Sequence, residues 1–264
     1  MASNPQMVLP PITDPGVHEQ IDRLARRYVE AGGLGMEIMS IIGDSAENLV
    51  ARLPGFVRAR MDGLTRMALR RAFTAAAGTR RVVRDRGDWF NRLASTVSGA
   101  AGGAAGFAGA MVEMPFTVTL LLRSMLDIAA EHGLDPESEE VRLECLRVFA
   151  DAGPMDYDDN ADLGLLAARL SVTGQTVQGL ISRVAPRLSV SLGQKMAAQA
   201  APVFGAFVGA SINYTFARYY QEVARVHFGI MRLSHETGIP KEALIERLRL
   251  SIERTRERGR SRRD

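Results

Sequence analysis

The chain has 264 residues, 46% hydrophobic and 24% charged, a balance that supports a globular core and excludes a chain disordered throughout. Thirty-three Lys and Arg against 30 Asp and Glu leave a net charge of +3, too small by itself to point to nucleic acid. The single cysteine, Cys145, excludes an intrachain disulfide, agrees with a reducing compartment, and cannot anchor a metal cluster alone.

Residues 1–13 read as a Pro-rich flexible arm without the basic start or apolar core of a secretory signal, so a cytoplasmic chain is expected. Asp14-Pro15 predicts a helix start, because a carboxylate can accept free amides and Pro suits the first turn. Val17, Ile21, Leu24, Ala25 and Tyr28 then recur at helical spacing, and Gly32-Gly33 predicts the stop. A second helix is expected over 34–53, ended by Pro54. A third, over 55–77, carries Phe56, Met61, Leu64, Ala68 and Phe73 on one side and arginines elsewhere. Residues 79–93 read as an exposed connection with one aromatic foothold, Trp89.

Charge is distributed unevenly. Between Arg52 and Arg92 there are eleven Arg and three acids, whereas between Asp127 and Asp162 there are twelve acids and two Arg. The basic block makes Arg58, Arg66, Arg70, Arg80, Arg81 and Arg84 candidates for contact with an anionic surface; the alternative is a solvated face. Aromatics are sparse beside it and no nucleic-acid motif is present, so no nucleic-acid partner is expected.

The chain is organised around Leu93 to Arg123, whose only internal charge is Glu113. Gly99 and Gly103, Gly102 and Gly106, and Ala105 and Gly109 are four apart, so in a helix the small residues align and admit a close neighbour or a membrane contact. Pro115 predicts a break at 113–115 before a second helix with Leu121, Arg123, Leu126 and Asp127. His132 to Pro136 reads as a turn with a helix restart, Asp156 to Asp162 as an acidic loop, and Gly174 and Gly179 weaken any long helix over 171–185. A second uncharged stretch, Met196 to Ala217, contains Pro202, Gly205 and Gly209; a long helix then runs from about Ala206 to Glu236 and closes at Gly238. Ile239-Pro240 restarts a last helix, and 251–264 reads as a basic solvated tail. No alternating runs support a sheet. The expected fold is an all-α multi-helix bundle, one domain over 14–250, with the two Gly/Ala-rich, Pro-interrupted segments packed centrally.

Glu113-Met114-Pro115 with Leu121-Leu122-Arg123-Ser124, then Cys145 with Val148-Phe149-Ala150, resemble the core signature of the EcsC family of bacterial proteins. Pro202, Gly205, Gly209, Asn213-Tyr214, Phe216, Gln221, Ala224 and His227-Phe228 extend the resemblance, which covers roughly residues 15–250. Thr117 and Thr119 flank Val118 where the family usually carries paired Thr. The family is named for a gene beside an ABC-transporter operon and has no established activity; the resemblance therefore implies an ABC-transporter context and points to no particular reaction.

Catalytic motifs are absent: there is no G-x-S-x-G, and no G-K-[ST] follows the Gly run. If the chain is a hydrolase, its polar site is expected from Glu113, Arg123, Asp127 and His227. Neither metal nor cofactor is expected: His227 and His235 are eight apart, not three or four, and the acidic loop lacks an EF-hand's Gly and terminal Glu. Cys145 sits in an apolar pattern, where an inert buried thiol is expected. The leading expectation is a non-enzymatic cytoplasmic protein peripheral to the inner membrane, bound to an anionic surface or an integral membrane partner. A soluble carrier of lipid or another hydrophobe is the further alternative.

Overall fold

The computed structural model describes residues 11–42, 51, 53–79, 106–149, 176–199 and 205–261. They form seven helices and, among the described residues, no strand: α1 (Pro15–Ile42), α2 (Gly55–Thr79), α3 (Gly106–Glu131), α4 (Glu139–Val148), α5 (Val177–Gln199), α6 (Gly205–Thr237) and α7 (Lys241–Arg260). The all-α expectation holds. Helix α1 packs on α6 and α7, α2 packs on α3 and α5, and the two groups join where α3 meets α6, with α4 touching α3, α5 and α6.

Several boundaries follow from local chemistry. Asp14 Oδ1 accepts the Gly16 amide at 2.7 Å, so the carboxylate caps α1 one residue before Pro15. Gly238 has φ of 69°, the left-handed conformation that glycine adopts without a Cβ penalty, and its amide reaches Ser234 O at 2.9 Å to close α6. Gly133, at φ 78°, does the same after α3. Thr176 Oγ1 accepts the Gly179 amide at 3.2 Å, which places Gly179 in the first turn of α5, where it costs little.

Three expectations are corrected. Gly32-Gly33 does not end α1, which runs to Ile42. Each helical glycine costs about 1 kcal/mol, and docking of the helix on α6 and α7 offsets it. Pro115 does not break α3. An interior Pro costs about 3 kcal/mol or more, but Met114, Val118, Leu121, Leu122, Met125 and Leu126 are all buried at helical spacing around it. Each such side chain returns about 1.5–3 kcal/mol when fully buried, so the continuous helix wins. Finally, residues 251–260 are helical rather than a solvated tail: Ser251, Ile252 and Arg256 are buried, Ser251 Oγ donates to Asp22, and Arg247 Nε donates to His18 Nδ1 at 2.9 Å.

Helix α6 is the central element. Phe216, Tyr219, Tyr220, Val223, Ala224, Val226, Phe228 and Ile230 are buried around most of its circumference. What remains is a narrow polar stripe of Arg218, Glu222, Arg225 and Arg232 at helical spacing. Phe56, expected on the apolar face of α2, is 59% exposed, and Val57 one residue on takes the buried position. Trp89, the acidic loop, Pro202, Gly99, Gly102 and Gly103 lie outside the described residues. Gly106 and Gly109 lie within α3 and Gly205 and Gly209 within α6, but what packs on these four is also outside the described residues.

Candidate functional site

Two polar assemblies are built on this frame. The first is buried. Glu144 of α4 holds Arg147 one turn on, and its other oxygen accepts the His227 Nε2 proton at 2.8 Å from α6. The side chains of Glu144 and His227 are only 4% and 3% exposed. Burial pushes the Glu144 carboxyl up, but the His227 hydrogen bond and charge, with Arg147 and Lys241, outweigh it and hold the group below its ordinary value. The carboxylate is therefore ionised, which makes His227 Nε2 the donor. Cys145 beside it is fully buried, and burial, with the charges of Glu144 and Asp127, pushes its thiol well above its ordinary value. It is a protonated, inert thiol, as expected from its apolar surroundings.

Of the four residues assigned to a polar site, His227 is thus buried in an ionic network whose other named members, Glu144 and Arg147, the sequence reasoning did not single out. Arg123 and Asp127 are half-buried on α3, one turn apart, and the Glu113 side chain is outside the described residues. Thr119 Oγ1 donates to Pro115 O at 2.8 Å, while Thr117 Oγ1 receives Lys195 Nζ at 3.4 Å. Among the described residues, no three His, Cys, Asp or Glu side chains are grouped to hold a metal.

The second assembly is open to solvent. The polar stripe of α6 faces a matching stripe of α1, and the two line a cleft of about 640 Å³ with the end of α3. Six arginines, Arg23, Arg26, Arg27, Arg218, Arg225 and Arg232, face three glutamates, Glu30, Glu131 and Glu222, an excess of three positive charges. Glu222 binds Arg27 at 2.6 Å and Arg225 at 2.8 Å. Arg232 Nε is buried and lies 3.6 Å from Glu236, beyond hydrogen-bond length. Burial and then the neighbouring Arg27 charge bring Arg225 down to about 10, so it stays charged at neutral pH. At Gly229, in the cleft wall, a Cβ would sit 2.8 Å from Leu24 Cδ2, so the end of the Leu24 side chain rests directly on the glycine where α1 meets α6.

His132 also lines the cleft and donates Nδ1–H to Ile128 O at 2.8 Å. Burial lowers its pKa from the ordinary 6.5; the Ile128 bond opposes this, and Arg232 and Arg27 add to it. Because the folded value lies below the unfolded one, its contribution to stability is fully present above 6.5 and is lost as pH falls through the folded value. His132→Gln is expected to flatten the dependence of the urea midpoint on pH in that window; an unchanged profile would rule His132 out as the titrating group.

Basic residues outside the cleft are divided. On α2, Arg58, Arg60, Arg70 and Arg71 are exposed, while Arg66 pairs with Asp62 at 2.8 Å. Arg80, Arg81 and Arg84 lie outside the described residues. A family model described as the EcsC protein family matches residues 79–233, more than half the chain. The chain belongs to the EcsC protein family. No curated protein and no solved structure matches it. The EcsC segment contains Glu144, Arg147 and His227, together with His132 and the α6 wall of the cleft; the α1 wall precedes it.

Proposed function

We propose that this EcsC-family protein is a non-catalytic binding protein of the cytoplasmic membrane surface, held there by anionic lipid or by an integral membrane partner. The observation that supports the reading is the surplus of guanidinium groups on its open faces, in the cleft and along α2. Such groups attract an anionic surface by about 1 kcal/mol each within a screening length. Among the described residues no helix is long and apolar enough to cross a membrane, so the contact proposed is peripheral. A hydrolase built on His227 is disfavoured: its imidazole is sealed with Glu144 and Arg147, none of these lines the cleft, and the adjacent thiol is protonated. Cosedimentation with vesicles tests the proposal. Binding to phosphatidylglycerol vesicles should exceed binding to phosphatidylcholine vesicles and fall as salt rises, since the screening length shrinks from about 10 Å at 0.1 M to about 3 Å at 1 M. Equal binding to both vesicle types would overturn the reading.

A further inference from the structure

We propose that the cleft between α1 and α6 binds a phosphoryl group carrying two or more negative charges, borne by a small organic phosphate or pyrophosphate or by a phospholipid headgroup. The inference rests on the anion-binding half of the reading above and not on its membrane half.

Four features carry it. The first is concentration: six guanidinium groups from two helices converge on one concavity, and Arg is the side chain whose planar fork matches phosphate oxygens two at a time. The second is the charge count. Among the lining residues arginines outnumber carboxylates six to three; Glu19 beside the cleft pairs with Arg23 at 2.6 Å and Glu236 lies 3.6 Å from Arg232, and the positive balance that remains favours a multiply charged phosphoryl group over a singly charged carboxylate ligand. The third is incomplete pairing within the cleft. Glu222 is shared between Arg27 and Arg225, Arg232 Nε lacks a hydrogen bond, and among the described residues no ion pair engages Arg26 or Arg218. The cluster holds like charges together at an electrostatic cost that a polyanion would relieve; Arg225 is lowered chiefly by burial and then by the neighbouring Arg27 charge. The fourth is size: about 640 Å³ exceeds what a bare phosphate ion fills and falls within the range of small-molecule pockets. Leu24, Ala31 and Gly229 give the cleft a short apolar wall against which the remainder of an organic phosphate can rest.

The test uses the full chain with inorganic pyrophosphate, followed by titration calorimetry at low salt. Saturable binding is expected, and Arg26→Gln with Arg218→Gln should weaken it about tenfold or more. Arg26 is exposed and Arg218 half-buried, and removing either relieves like-charge crowding, so the melting temperature without pyrophosphate should not fall below the parent's; each single variant is measured as well, in case the pair disturbs the fold. Arg183→Gln, an exposed arginine of α5 outside the cleft, should leave the affinity unchanged. Absence of saturable binding would overturn the proposal, as would an equal loss in Arg183→Gln and the cleft variants, which would reveal diffuse charge attraction. A second arm compares vesicles containing phosphatidic acid, a phosphomonoester, with vesicles containing phosphatidylglycerol, a phosphodiester. If the cleft variants lose a preference for phosphatidic acid, the group is a lipid headgroup. If they lose pyrophosphate binding while vesicle binding is unchanged, it is a soluble phosphate. Either result supports the cleft. Pyrophosphate binding without any preference for anionic vesicles would sink the membrane reading alone.

Discussion

Replacing Glu144 by alanine is expected to destabilise the protein by about 3–5 kcal/mol, because it strands the buried Arg147 guanidinium and removes the acceptor of His227. Glu144→Gln separates charge from shape. It keeps a carbonyl for one partner but cannot hold two cationic or proton-donating groups as a carboxylate does. The pH profile should change with it. The folded Glu144 carboxyl is held below its ordinary 4.5, so its contribution is complete above 4.5 and is lost as pH falls through the folded value. Urea midpoints of the parent should therefore decline between 4.5 and more acidic pH more steeply than those of Glu144→Gln. A triple change, Glu144→Leu with Arg147→Met and His227→Phe, should recover much of the loss, since a buried ion network replaced as a whole by apolar groups of similar size is often neutral. If the triple variant folds and still binds pyrophosphate, the network is a structural tie between α4 and α6. A Glu144→Ala protein as stable as the parent would mean that water reaches the network and would return His227 to the candidates for chemistry.

Tyr220→Ala is expected to cost about 3–5 kcal/mol, the range for truncating a buried aromatic. Its ring lies 5.4 Å from Phe149 of the α4 end, 6.4 Å from Phe216 and 5.4 Å from Tyr219, edge-on to the first and last. Each such aromatic pair adds about 0.5–1.5 kcal/mol beyond the area it buries. Tyr220→Leu should cost less, because it leaves a smaller cavity. Calorimetric melts read both. A loss below about 1 kcal/mol for the alanine variant would show that α4 can settle into the gap, contrary to the packing seen here.

These two experiments bear on function through the frame they probe. The Glu144 network and the Tyr220 cluster both fasten α4 to α6, and the opposite side of α6 is the cleft wall. In the binding proposal α6 is a rigid support: its buried circumference fixes where Arg218, Arg225 and Arg232 stand relative to α1.

The sequence by itself determined the helical class and the features set within a few residues of chain. Asp14 before Pro15, Gly238 at the end of α6 and the restart at Pro240 are read correctly, because a capping carboxylate, a left-handed glycine and a fixed proline φ act on their immediate neighbours. Family membership was legible too, from the spaced residues around Pro115, Cys145 and His227. Tertiary structure decided where local preference and packing oppose one another. Gly32-Gly33 and Pro115 are helix breakers by propensity, and α1 and α3 continue through them because docking outweighs a few kcal/mol of local cost. It also decided which charges meet. Glu144 and His227 are 83 residues apart, a separation over which neither charge counts nor helical spacing carries information. The cleft is the clearest case. Block counting drew attention to Arg52–Arg92, whereas the basic concavity comes from two modest stripes, Arg23 to Glu30 and Arg218 to Arg232. Neither was singled out from the sequence, because only the packing of α1 on α6, with Leu24 resting on Gly229, sets the two face to face.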